Sequence, residues 1–205
     1  MSPPEVPGDR DLIERARRGD RDAFGMLVVR HQDRIYTAVL RFCGDEEDAR
    51  DIAQRAFVNA WRRLDSFKGD SAFSTWMYRI AFNESVSFRR EGGRRRVVPL
   101  QGRDGEAGPE PADDRRPGDR LEVEESRRQV QEALNQLDPE ERKILILKEL
   151  EDRSYDEIAE ILEIPKGTVR SRLFRARDAL REKLRVLLKS AEPGSVESRP
   201  RAGGK

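Results

Sequence analysis

The chain has 205 residues, 40% of them charged and 36% hydrophobic, with a formal net charge of +1 and a mean hydropathy of −0.85. That length suits one large domain or two small ones, and the polarity favours small helical units joined by solvated linker over a single compact globule. A lone cysteine (Cys43) and a lone histidine (His31) exclude an intrachain disulfide and a thiolate zinc site. With a polar N-terminus and no long apolar run, a soluble chain in a reducing cytoplasm is expected.

Helical patterns begin at once. Asp9-Arg-Asp-Leu-Ile opens a short helix, and Gly19-Asp20 ends it and caps the next. Ala23, Phe24, Leu27, Val28, Ile35, Ala38, Val39 and Phe42 then recur at helical spacing. Asp45 to Asp48 gives a third helix its acidic start. The inward stripe of that helix is Ala49, Ile52, Ala53, Ala56, Phe57, Ala60 and Leu64. At about 100° per residue, Asp48, Asp51, Arg55, Val58 and Arg62 fall on the opposite face. A turn over Phe67-Lys-Gly-Asp-Ser-Ala leads into a fourth helix through Trp76, Ile80 and Asn83 to Arg90.

Residues 92–120 break the pattern, since ten of these 29 are Gly or Pro and apolar residues are sparse. Such a stretch buries too little surface to offset its ordering entropy and reads as a flexible linker. The tail, 191–205, reads the same way. Two all-α domains are therefore predicted, over 9–91 and 121–190, with no strand-like alternation and no internal repeat.

In the second domain, Arg127 to Leu137 is helical and Asp138-Pro139 caps and starts the next helix, which runs through Ile144, Leu145 and Leu147 to about Leu150. Ser154 caps a short helix from Tyr155 to Leu162. After Glu163-Ile-Pro-Lys-Gly comes a long helix from Thr168 to about Leu188. Small Ala159 at the crossing, core residues Ile158, Ile164 and Val169, and Pro165 in the turn make 154–173 a helix-turn-helix pattern. Charge separates sharply here: 127–163 holds six basic and eleven acidic residues, and 164–190 holds nine and two.

The last helix presents one inward stripe, Val169, Leu173, Ala176, Leu180, Leu184 and Leu187. Its outer face begins with Gly167, Thr168, Ser171, Phe174 and Arg175, with Arg170 on the shoulder. Asp178 and Glu182 follow and would repel phosphate, so only the first two turns are expected to enter a major groove. Arg170 and Arg175 suit guanine edges or phosphates, and Thr168 with the helix-start amides suits a phosphate. Lys166, Arg172 and Arg177 lie on the flanks, where phosphate contact is expected. A solvated basic helix is the alternative that charge alone would favour; the turn, the crossing residue and the change of sign argue against it.

Gly-Thr-Val-Arg-Ser-Arg-Leu-Phe-Arg-Ala-Arg at 167–177, after Ser-Tyr-Asp-Glu-Ile-Ala-Glu-Ile-Leu at 154–162, resembles region 4 of extracytoplasmic-function sigma factors. The resemblance implies reading of a promoter −35 element by Thr168, Arg170, Ser171, Phe174 and Arg175. Asp-Ala-Arg-Asp-Ile-Ala-Gln-Arg-Ala-Phe at 48–57 resembles region 2.2 of that family. It implies binding to the clamp helices of the largest polymerase subunit through Asp48, Asp51, Gln54 and Val58.

The segment Leu64 to Asn83 resembles regions 2.3 and 2.4, in particular those of the sigma-E-like subgroup. Six aromatics (Phe67, Phe73, Trp76, Tyr78, Phe82 and Phe88) are interleaved there with Lys68, Arg79, Arg89 and Arg90, a composition suited to stacking and holding melted strands. By resemblance, Phe67, Lys68, Gly69, Asp70 and Ser71 form a loop that captures an extruded −10 base, and Asn83 contributes to its pocket. Phe57, Phe73, Trp76 and Phe82 are expected mainly to pack; for the other aromatics, core and stacking roles look alike in sequence.

The same resemblance implies two small helical domains, region 2 and a helix-turn-helix region 4, spanned by a linker that threads the polymerase. Fully extended, the linker would reach about 100 Å. The implied partners are core RNA polymerase, including its flap, promoter DNA, and an anti-sigma factor, often membrane-anchored. No cofactor, metal or small-molecule substrate is implied, and no catalysis. A regulator that binds DNA alone would need a sensor domain, which 9–91 does not resemble. For an enzyme, the chain offers no nucleophile or metal cluster, and the Gly-rich stretch from Gly102 lacks the lysine of a phosphate loop.

Overall fold

A computed structural model of the chain describes residues 7–92 and 117–191. The segment read as linker lies largely outside these residues, as does the tail. Every regular element among the described residues is helical. The N-terminal half comprises α1 (Asp9–Arg17), α2 (Arg21–Cys43), α3 (Glu46–Arg62), a single 3-10 turn (Leu64–Ser66) and α4 (Phe73–Gly92). The C-terminal half comprises α5 (Pro117–Asn135), α6 (Pro139–Leu145) with a π-helical continuation (Ile146–Leu150), α7 (Tyr155–Leu162) and α8 (Lys166–Ala191).

Local capping chemistry sets most of the helix starts. The Asp20 carboxylate accepts from the Ala23 amide, that of Asp45 from Asp48, and that of Asp138 from Glu140, each satisfying an amide that a helix start leaves unpaired. Gly44 closes α2 at φ 78°, a left-handed position that costs glycine little. One expected boundary moves. Helix α5 begins at Pro117, ten residues before the Arg127 expected from apolar periodicity. Proline is tolerated in a first turn, and the sparse apolar side chains of this amphipathic-poor stretch gave periodicity little to register.

In the N-terminal half, α2, α3 and α4 pack around Leu27, Ile35, Phe42, Ile52, Ala56 and Met77, none more than 1% exposed. In the C-terminal half, α6, α7 and α8 enclose Ile144, Leu147, Ile158, Val169, Leu173 and Ala176. The whole predicted inward stripe of α3 is buried. The two halves also touch: α4 packs on α7, and α2 packs on α5, α6 and the π-helical segment, so that one buried cluster runs through both.

Candidate nucleic-acid interface

The C-terminal helix-turn-helix is built from a short, well-capped helix and a tight turn. Ser154 Oγ accepts from the Glu157 amide at 3.2 Å, and the Glu157 carboxylate accepts from the Ser154 amide at 2.9 Å, a reciprocal box at the start of α7. Burial pulls the Glu157 carboxyl upward, but bonds from the Ser154 amide and hydroxyl and from Arg153 outweigh it, leaving the pKa below its ordinary value. Glu163 ends α7 in the left-handed region, and the Thr168 amide donates to Pro165 O at 2.8 Å as α8 begins. Burial of Val169, Leu173 and Ala176 fixes the rotation of α8.

That rotation leaves Arg170, Ser171, Phe174 and Arg175 exposed and Thr168 half-buried on the outer side of the first turns. Phe174 is 73% exposed, the most exposed large apolar side chain among the described residues. The flanking cations differ from one another. Lys166 is paired with Asp156 at 2.7 Å and Arg177 with Glu149 at 2.7 Å. Among the described residues, neither Arg170 nor Arg175 has an ion-pair partner. The phosphate roles expected of Lys166 and Arg177 therefore fall on charges already half-neutralised, whereas those of Arg170 and Arg175 are not offset by an ion pair among the described residues. Arg172 and Arg175 border a small cleft with Asp138, Glu140 and Glu141.

In the N-terminal half, the loop at Lys68 to Ser71 projects from an aromatic base. Phe67 itself is 6% exposed, its ring centroid 5.9 Å from that of Phe73 and 5.1 Å from that of Trp76. It anchors the loop and offers no open ring face. Lys68, Gly69 and Asp70 are exposed, Ser71 is half-buried, and Gly69 turns the chain at φ 80°. Arg17, at the end of α1, donates to Leu64 O at 3.3 Å and also to Phe67 O, tying down the chain just before the loop. Sequence reasoning had no signal for Arg17, because its partners lie 47 and 50 residues away.

Asn83 is exposed on α4, ten residues beyond Phe73, or about 15 Å along the helix. Its neighbour Glu84 accepts from Asn59 Nδ2 of α3 at 2.6 Å, which steadies this part of α4. Phe73 and Phe82, expected to pack, are buried and Trp76 is half-buried; of the aromatics left open by sequence, Tyr78 is buried and Phe88 half-buried. Burial, and then donation to the Glu151 carboxylate, pushes the Tyr78 phenol up to about 12.

A third surface lies between α2 and α3. There an open groove of about 700 Å³ is lined by Phe24, Val28, Tyr36, Phe57 and Trp61, with Val58 and Gln54 at its edge. Val58 is 43% exposed, an apolar side chain on an otherwise charged face. Asp51 and Gln54 are exposed beside it, and Asp48 is half-buried. Among the described residues there is no group of metal-ligating side chains, and no helix is long and apolar enough to cross a membrane.

Comparisons with known proteins bear on both halves. The family model described as Sigma-70 region 2 matches residues 27–95, and that described as Sigma-70, region 4 matches residues 127–180. The chain is 40% identical over 187 residues to the RNA polymerase sigma-H factor of Pseudomonas aeruginosa, covering 89% of this chain and 97% of the relative. It is 40% identical over 185 residues to the ECF RNA polymerase sigma-E factor of Escherichia coli K12, covering 88% and 96%. Among solved structures, CnrH in complex with the cytosolic domain of CnrY is similar at 30% identity and a TM-score of 0.62, covering 90% of this chain and 99% of that one. The sigma factor RpoE in complex with the anti-sigma factor NepR from Bartonella quintana is similar at 26% identity and a TM-score of 0.59, covering 80% and 97%.

Proposed function

Because the chain belongs to the sigma-70 family, in its extracytoplasmic-function group, we propose that its three surfaces divide the work of promoter-specific initiation. The protein is an alternative sigma factor. Its outer α8 turns, Thr168, Arg170, Ser171, Phe174 and Arg175, read the −35 element. The loop from Phe67 to Ser71 and Asn83 read the −10 element, with Lys68 to Ser71 meeting the strand and Phe67 fixing their base. The α2–α3 groove and its edge, with Asp48, Asp51, Gln54 and Val58, receive the clamp helices of the polymerase.

The observation that carries this reading is the exposed Phe174 between two uncommitted arginines on a helix whose opposite face is buried. An apolar ring at that place meets a thymine methyl in a major groove, and guanidinium groups beside it meet guanine or phosphate. The family acts in transcription initiation rather than catalysis, and we infer that this chain has no enzymatic activity and uses no cofactor. Relatives solved with anti-sigma partners support such a partner here, holding the factor in the cytoplasm at the inner membrane face if it is anchored. The test is run-off transcription with core polymerase over a promoter library. Specific initiation that Asn83→Ala and Arg175→Ala abolish is expected. No initiation at any sequence, or initiation indifferent to both variants, refutes it.

A further inference from the structure

His31, the chain's single histidine, sits on α2 with its side chain 12% exposed. Its Nε2 lies 2.8 Å from Oδ2 of Asp9, the first residue of α1. A carboxylate offers only acceptors, so Nε2 is the donor. The other Asp9 oxygen accepts from Arg30 Nη1 at 2.5 Å, and Arg30 Nη2 donates to Pro7 O at 2.7 Å. Two neighbours on α2 thus hold one carboxylate of α1, but they differ in what lies behind them. Arg30 is exposed, whereas the imidazole lies against the Phe73 ring, centroids 5.3 Å apart.

Phe73 in turn stands 5.9 Å from Phe67 and 5.8 Å from Trp76, and those two rings are 5.1 Å apart. The imidazole is therefore one end of a packed set of rings whose far member, Phe67, begins the −10 loop. Helix α1 grips this set from both of its own ends. Arg17, its last residue, holds the Leu64 and Phe67 carbonyls, and Asp9, its first, holds the imidazole. Lys68, Gly69 and Asp70 are exposed, so the course of the loop is set where it leaves Phe67 and where the chain enters α4 at Phe73. The His31 ring bears on the second of these points.

A staple between α1 and α2 would need only the Asp9 carboxylate and a cation, which Arg30 supplies. The bond to the imidazole does something more: it fixes the tilt of that ring, 55° to the Phe73 ring. A site that receives an extruded base has to hold its groups within about 0.5 Å of the productive arrangement. We propose that His31 is a positioning residue for −10 reading, holding Phe73, and through it the loop from Phe67 to Ser71, in the geometry that receives a base. The proposal rests on the role proposed above for that loop.

The full chain is assembled with core polymerase and a fluorescein-labelled promoter recovered from the run-off library, with an open bubble across the −10 element. Abasic sites are placed one at a time through that element, and anisotropy follows binding. The parent should hold the intact bubble about tenfold more tightly than one lacking the captured base. In His31→Ala that preference should shrink to about twofold, the size of effect that coupling between touching residues allows, with core-polymerase affinity unchanged. His31→Phe, which keeps a ring against Phe73 without the Asp9 bond, should fall between the two. Arg30→Ala, which removes the ion pair to α1 but leaves the imidazole, should keep the parent's preference. Melting of the free chains is followed alongside. A preference kept in full by His31→Ala, one that simply tracks melting temperature across the three variants, or a His31→Phe chain no better than His31→Ala overturns the positioning role and leaves that of the loop standing. A parent indifferent to every abasic site overturns the reading of the loop, and the positioning with it.

Discussion

Phe174→Ala separates promoter contact from fold. The ring is 73% exposed, so its removal takes nothing from the core, and unfolding free energy should move by no more than about 0.5 kcal/mol. A phenylalanine offers on the order of 200 Å² to bury. Covering the exposed part completely would contribute about 4 kcal/mol at ~25 cal/mol per Å². A groove floor covers one face of the ring, which halves this to about 2 kcal/mol, or roughly 30-fold in affinity. The assay is run-off transcription with reconstituted holoenzyme at several promoter concentrations, with thermal melting of the free chain alongside. Leu173→Ala is the control one residue away: that side chain is 1% exposed, and its loss should cost about 2–5 kcal/mol of folding stability. Normal promoter affinity in the Phe174 variant, or a melting point lowered as in the Leu173 variant, would refute the assignment of the ring to DNA.

Arg175→Ala should weaken promoter binding and flatten its salt dependence by about one counterion if the guanidinium meets a phosphate, read from affinity across a salt series. Val58→Asp places a charge on the apolar edge of the α2–α3 groove and should reduce core-polymerase binding about tenfold or more with the helical content unchanged, as native-gel titration would reveal. Arg17→Ala releases the Leu64 and Phe67 carbonyls, so promoter opening, followed by permanganate footprinting, should fall while polymerase affinity holds. The depressed Glu157 carboxyl sets a sign for pH. Its contribution is present above the ordinary glutamate value of 4.5 and is lost as pH falls through the lower folded value. Glu157→Gln should therefore abolish part of the acid-side decline in melting temperature, and a decline of unchanged size counts against the box.

Much of the fold was legible because its determinants are local. Caps at Asp20, Asp45, Asp138 and Ser154 act over three residues or fewer, and the buried stripes of α3 and α8 follow the helical period, so a linear reading reaches them. The same reasoning placed Thr168, Ser171, Phe174 and Arg175 on one outer face, with Arg170 on its shoulder, since the stripe opposite fixes the rotation. Tertiary structure alone decided matters that depend on distant partners. It put the Phe67 ring in the core against Phe73 and Trp76, where composition allowed stacking on DNA equally well. It also brought Arg17 to the chain just before the Lys68 to Ser71 loop and joined Arg142 to Phe42 across 100 residues. Periodicity records which face of a helix turns inward; it holds no trace of which distant carbonyl a buried guanidinium will meet.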